Sequence, residues 1–315
     1  MGQILTERPL PLTHRPSAGR QFLQSPTVSI IAIGAIVGVS YTLAKFAVAN
    51  GIPPFAALFW QLFGATIILL AAMVVRGKRL DLSPQYLRYY IISGLLGVSG
   101  PQLIAYVVLK HIPAGLFTTL ITLSPLATFM MVSVVDRQLL PLYRLAGILL
   151  GLIGISMATL SSFDAGNSGY VWVIAALGAP LLLASGNIYR NRAYPKGADP
   201  LALATGMLGS QMLLVWPVLI YRGYSFSPVD IAGTVEAAVL IIGALTAIGY
   251  ILTFAVQRTT DGVGFSQVGY FATLSGIAAG AVLFAEPLSP LLFVSIAVLF
   301  LGLAVTNGHL NLPWR

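Results

Sequence analysis

Ten apolar runs, each about as long as a bilayer is thick, constrain this 315-residue chain more than any other feature. They cover roughly Val28–Ala49, Pro53–Val75, Tyr89–Leu109, Pro113–Val135, Pro141–Leu160, Gly169–Tyr189, Pro200–Tyr221, Thr234–Val256, Val263–Ala285 and Leu288–Asn307. A helix rises ~1.5 Å per residue, so ~20 apolar residues cross the ~30 Å hydrocarbon core. No water is available there to satisfy backbone polar groups, and a helix satisfies its own. Charged residues are 8% of the chain and hydrophobic residues 57%. A soluble surface needs about 25% charged residues, and no polar stretch is long enough for a separate soluble domain. The first run is longer than the ~7–15 residues of a signal-peptide core and lacks a small-residue cleavage site, so it reads as a retained helix. The fold class expected is all-α integral membrane, with ten transmembrane helices.

The net charge of +8 would suggest nucleic acid in a soluble chain, but here the basic residues sit at the ends of apolar runs, which points to lipid headgroups instead. With no cysteine, disulfides, thiolate metal sites and cysteine nucleophiles are excluded. Basic residues also give the orientation. With a cytoplasmic N-terminus, that side receives Arg8, Arg15, Arg20, Arg76, Lys78, Arg79, Arg88, Arg137, Arg144, Arg190, Arg192, Lys196, Arg258 and Arg315, and the other side only Lys110 and Arg222. The bias predicts an even number of spans with both termini cytoplasmic, N-in/C-in, in a cell (inner) membrane.

The two halves resemble each other. Lys45 stands eight residues before Pro53, and Arg192 eight before Pro200. Tyr106-Val-Val-Leu-Lys110 parallels Phe254-Ala-Val-Gln-Arg258, and Asp136 with Pro141 and Leu142 parallels Glu286 with Pro290 and Leu291. Each half holds five helices, an odd number, so the second inserts upside down relative to the first. Two inverted five-helix repeats are a hallmark of alternating-access carriers, whose site lies near midplane between the halves. The expected organisation is a tail over 1–27, a first repeat over 28–162, an extracytoplasmic linker over 163–168, a second repeat over 169–307 and a short tail over 308–315. One copy of the chain supplies both halves, so a monomer suffices.

Ser124-Pro125, Asp136 and the glycines Gly147, Gly151 and Gly154, followed in the second half by Glu286 and Gly302, are similar to the pattern of the EamA-type drug/metabolite transporter superfamily. In that family an acidic residue ends each half's fourth helix, ahead of a glycine-rich fifth. The resemblance runs from about residue 28 to 307, with Asp136 where the family more often has Glu. It implies a secondary transporter, and most resembles bacterial exporters of amino acids, aromatic ones included. On the residues alone, the three glycines of the fifth helix are better read as a packing stripe.

Polar side chains in mid-membrane are costly unless paired, which makes them the candidates for a substrate path. Lys45 is the charge well inside a run; it either snorkels to the interface or meets a substrate carboxylate. Gln61, beside Trp60, and Gln102, after the broken stretch Gly97-Val-Ser-Gly-Pro101, are favoured as cavity lining over inter-helix hydrogen bonds. Tyr106, Thr118, Thr122, Asn187, Gln211, Tyr250, Gln267 and Tyr270 complete the substrate-binding set, an amide-and-aromatic lining suited to an amphipathic solute. Asp136 and Glu286 read more simply as helix-end contacts. The nine acids and three histidines fall in tails, loops or helix ends, with Glu236 the one acid placed to be drawn inward. Facilitated diffusion or exchange of a neutral or zwitterionic solute is therefore expected, with proton-coupled export of another metabolite or drug as the alternative.

No catalytic constellation, phosphate loop or selectivity filter is visible, so an enzyme, an ATP-driven pump and a channel are disfavoured. No cofactor or metal is expected. A non-transporting receptor or scaffold is the remaining alternative class, distinguished by solute flux.

Overall fold

The computed structural model describes residues 26–137, 141–162, 169–223, 234–257 and 268–307. Among them there are only helices. In chain order these are α1 Pro26–Ala49, α2 Pro54–Val75, α3 Pro84–Val108, α4 Ala114–Val135, α5 Leu142–Ser162, α6 Gly169–Arg192, α7 Pro200–Tyr221, α8 Thr234–Gln257, α9 Val268–Phe284 and α10 Pro290–Thr306. Eight are long and apolar enough to cross a membrane, and α9 and α10 are apolar helices of 17 residues each. Large apolar side chains such as Val75, Ile174 and Val282 point outward, as lipid rather than water requires. The fold is that of an all-helical membrane protein.

Among the described residues the sequence boundaries hold within a few residues except at α3, which begins at Pro84 rather than Tyr89; the Val263 start of the ninth run lies outside the described residues. The proline starts the helix from its first turn after Ser83, where its missing N–H is no loss. At the other end of the polarity scale, α6 continues past its apolar run to Arg192.

Prolines shape the interior. Within α3, a five-residue π-helical turn, Leu95–Ser99, precedes Pro101. A proline has no N–H for the carbonyl four residues earlier and clashes with it; here that carbonyl belongs to Gly97. The π turn absorbs the clash, with Gly100 N–H bonding Leu95 O, and the Gly97 carbonyl is left facing a neighbouring helix. Pro125 interrupts α4 between Ile121 and Ser124, and α6 breaks at Leu177, before Pro180.

Packing across the halves is mutual. α1 lies against α8 and α9, and α6 against α3 and α4; α2 meets α7 and α8, and α3 meets α7; α5 pairs with α10. Adding five to each helix of the first half, and subtracting five from each of the second, turns every one of these pairings into another or into itself. In the α5–α10 seam the backbones nearly touch. A Cβ on Gly147 would lie 2.6 Å from Gly302 O, one on Gly154 2.8 Å from Ser295 O, and one on Gly302 2.6 Å from Gly147 O. The glycine stripe lets two backbones touch, as expected where lipid removes the hydrophobic drive for helix association.

Candidate functional site

Among the described residues three ion pairs join the halves, one at one face and two at the opposite face. Successive helices cross in alternate directions, so α1 and α9 end on one face and α4 and α6 on the other. On the first face Lys45 Nζ lies 2.7 Å from Glu286 Oε1, with side chains only 18% and 10% exposed. The same carboxylate accepts from the backbone N–H groups of Ala114 (2.7 Å) and Gly115 (3.1 Å) at the start of α4, a position favourable to negative charge. Lys45 also sits 5.0 Å above the Phe284 ring. On the second face Arg192 Nη2 pairs with Asp136 Oδ1 at 2.5 Å, more openly, at 46% and 38% exposure. Lys78 and Asp199 add a further bridge on this face at 3.0 Å. Both acids follow a left-handed turn or sit in one: Ala285 has φ 51° and Arg137 φ 52°. Asp136 and Glu286 are thus more than helix-end contacts, because each binds a cation from the other half.

The π turn of α3 is where polar side chains from three helices of the second half converge. From α6, the Arg190 guanidinium packs flat on Gly97, its Cζ 3.3 Å from where a Cβ would stand, and donates to Asn187 Oδ1 at 2.6 Å. From α7, the fully buried Gln211 accepts from Ser99 Oγ at 2.7 Å and donates to Ile91 O at 3.1 Å. From α8, the Tyr250 hydroxyl reaches the freed Gly97 carbonyl at 3.4 Å and interacts with Arg190. Two open clefts lie on the Asp136 face. One, about 390 Å³, is lined by Gln85, Tyr86 and Arg192–Lys196; the other, about 230 Å³, by Arg76, Asp199, Leu201, Phe254 and neighbours.

The remaining sequence candidates are distributed. Gln61 is completely buried and spends its amide at both ends, donating to Thr246 Oγ1 and accepting from Tyr106 OH, each at 2.8 Å. It ties α2 to α8 and α3. Thr118 and Thr122 line the α4–α9 seam, where Thr122 Oγ1 lies 2.6 Å from Thr273 Oγ1 and Thr118 packs on Gly276. Trp60 stands edge-on to Phe59 and Phe63, and Tyr270 edge-on to Phe300. Gln102 is half-buried, without a hydrogen bond among the described residues. Gln267 lies outside the described residues. Asn187, Gln211 and Tyr250 therefore come together, Gln61 and Tyr106 pair elsewhere, and Lys45 belongs to the ion pair.

Arg190 corrects the loop assignment that its charge suggested. It lies in the last turn of α6, three residues after Asn187, and one residue beyond the apolar run its side chain still reaches inward. Helical spacing to Asn187 was the signal that could have found it. Glu286 as partner of Lys45 required the tertiary fold.

Residues 25–160 match the EamA-like transporter family. An uncharacterized transporter of Bacillus subtilis (strain 168), YvbV, is 22% identical over 294 residues, covering 91% of this chain and 93% of the relative. A second uncharacterized transporter of the same organism, YyaM, is 20% identical, covering 91% and 94%. A solved crystal structure at 20% identity has the same fold, with a TM-score of 0.60 over 88% of this chain and 98% of its own. The first half of the chain thus resembles EamA-like transporters, and the whole chain resembles two membrane-transporter relatives, in keeping with a multi-pass helical membrane protein.

Proposed function

We propose that the protein is a secondary transporter that exports amino acids, aromatic ones included, by alternating access between two inverted five-helix halves, 28–162 and 169–307. The observation that carries this reading is that inter-half ion pairs hold both ends of the bundle, Lys45–Glu286 at one and Arg192–Asp136 with Lys78–Asp199 at the other. The pairs at a face can close it only while their helices are together, so breaking those of one face at a time opens the path to one side at a time. The Asp136 face, held by the more exposed Arg192–Asp136 and Lys78–Asp199 pairs, is the looser of the two gates in this state.

An amino acid suits the amide and aromatic groups around the α3 turn, which pair with polar and flat apolar groups without demanding net charge. Transport is passive or by exchange. The buried carboxylate of Glu286 is already held by Lys45 and two backbone N–H groups. Glu236 sits in the first turn of α8, where a negative charge is stabilised by the helix dipole.

The basic residues put the Asp136 face in the cytoplasm, with both termini on that side of an inner membrane. Reporter fusions after Arg79 and after Asp164 should report opposite sides. The functional test is flux of labelled L-phenylalanine and L-leucine into proteoliposomes of purified protein, with and without an imposed pH gradient. The expected result is equilibration and counterflow unaffected by the gradient. Accumulation that collapses with a protonophore would overturn the passive reading, and absence of flux for either amino acid the substrate reading.

A further inference from the structure

We infer that Arg190 is the anchor for a carboxylate on the transported molecule, with the Tyr89 hydroxyl as its second donor. The inference deepens the amino-acid reading above and rests on it for the side chain of the ligand, though not for the anion.

Three ion pairs occur among the described residues, Lys45–Glu286, Lys78–Asp199 and Arg192–Asp136. Arg190 is in none of them, and its partners among the described residues are neutral, Asn187 and Tyr250. A guanidinium cannot lose its proton in a protein and presents five N–H donors in a planar fork. One donor goes to Asn187. A cation within a membrane span that has no counter-ion is costly, and a carboxylate that binds the fork through two parallel hydrogen bonds relieves that cost.

Tyr89 supplies an independent observation. Its side chain is only 2% exposed, and its hydroxyl has no hydrogen-bond partner among the described residues. Its phenol feels the charge of the same guanidinium, and its ring stacks on Tyr189, the residue before Arg190. A buried donor left unmade costs about 1–3 kcal/mol, so an anion accepting from both Arg190 and Tyr89 satisfies two groups at once. An open cleft lies next to this pair. Tyr89 meets Tyr194 edge-on, and Tyr194 lines the cleft on the Asp136 face, with Tyr86 one turn before Tyr89 and Arg192 two residues after Arg190. Lys45, by contrast, is spent on Glu286 and is not available to a ligand.

The test uses the purified full chain in nanodiscs, with binding of L-phenylalanine, phenylacetate and phenethylamine read by thermal shift and tryptophan fluorescence. Wild type should bind the two carboxylates, and the amine at least tenfold more weakly. Arg190→Gln should weaken both carboxylates about 10- to 100-fold, the scale of one charge-assisted hydrogen-bond pair, and Arg190→Lys less. Tyr89→Phe removes an unpartnered hydroxyl, so it should melt no lower than wild type while weakening the carboxylates several-fold. Unchanged carboxylate affinity in Arg190→Gln, or in Tyr89→Phe, overturns the anchor, as does a wild type that prefers the amine or binds neither carboxylate. Phenylalanine counterflow that survives Arg190→Gln would leave the amino-acid reading standing without the anchor. Arg190-dependent phenylacetate binding with no phenylalanine flux would do the reverse.

Discussion

Glu286 holds Lys45 at 2.7 Å and, with the same carboxylate, takes the backbone N–H groups of Ala114 and Gly115. Three helices, α1, α4 and the end of α9, therefore meet on one side chain. Removing one member of a buried pair leaves the other charged and unpaired, at a cost of about 3–5 kcal/mol. Lys45→Met and Glu286→Gln should each lower the melting temperature in detergent and reduce flux. The exchanged pair, Lys45→Glu with Glu286→Lys, should recover only part of the loss, because an ammonium cannot accept the two N–H groups. Full recovery would show that the α4 contacts contribute nothing.

Arg192→Ala should behave differently. Its pair with Asp136 is open to solvent, and exposed pairs contribute about 0–1 kcal/mol. Thermal stability should stay within about 1 kcal/mol of wild type, while the balance between the two open states shifts toward opening on the Asp136 face. Cysteine-accessibility labelling on that face, in a chain with no cysteine of its own, reads the shift.

Gln61 and Gln102 should separate on substitution with leucine. Gln61→Leu strands the buried Tyr106 hydroxyl and removes the donor to Thr246 Oγ1, which keeps its own bond to Ile242 O. Inter-helix hydrogen bonds in membranes average about 0.6 kcal/mol, so the loss should be about 1–2 kcal/mol, visible as a lower melting temperature. Gln102→Leu breaks no hydrogen bond among the described residues and should leave the melting temperature unchanged; a change in flux alone would mark Gln102 as a group that meets the substrate.

How far the sequence could be read depends on the range of the interaction. Hydropathy is local, so the spans were legible, and so was the glycine stripe of α5 as packing. Pro101 announced freed carbonyls, and Gly97 O is the one that its ring displaces. What one chain position cannot reveal is which distant group answers it. Gln61 looked like cavity lining because its two partners come from α3 and α8, and Arg190 looked like a loop charge because apolarity ended before its helix did.

Asp199 gives a pH dependence. Its burial works against ionisation, but the hydrogen bond from Lys78 and those from the Ala202 and Leu201 N–H groups outweigh it and hold the carboxyl below the usual carboxylate range. A depressed folded value means that the unfolded chain takes up the proton first on acidification. The stabilisation is complete above the ordinary Asp value of about 3.9 and is lost as pH falls through the lower folded value. Melting temperatures recorded downward from about pH 6 should fall less steeply for Asp199→Asn than for wild type, from a lower starting point because α7 loses its N-terminal cap. Parallel curves would refute the assignment.

The α5–α10 seam bears on the lipid as well as on the protein. Where Gly147, Gly154 and Gly302 press backbone on backbone, neither helix can slip along the other without driving side chains into main chain. Leu149, Leu152 and Ile153 on one helix and Phe293, Val294 and Leu301 on its neighbour stay turned outward. Under the alternating access proposed above, acyl chains along that edge would meet one unchanging wall in every state, and any deformation imposed on the bilayer would be confined to the rest of the perimeter.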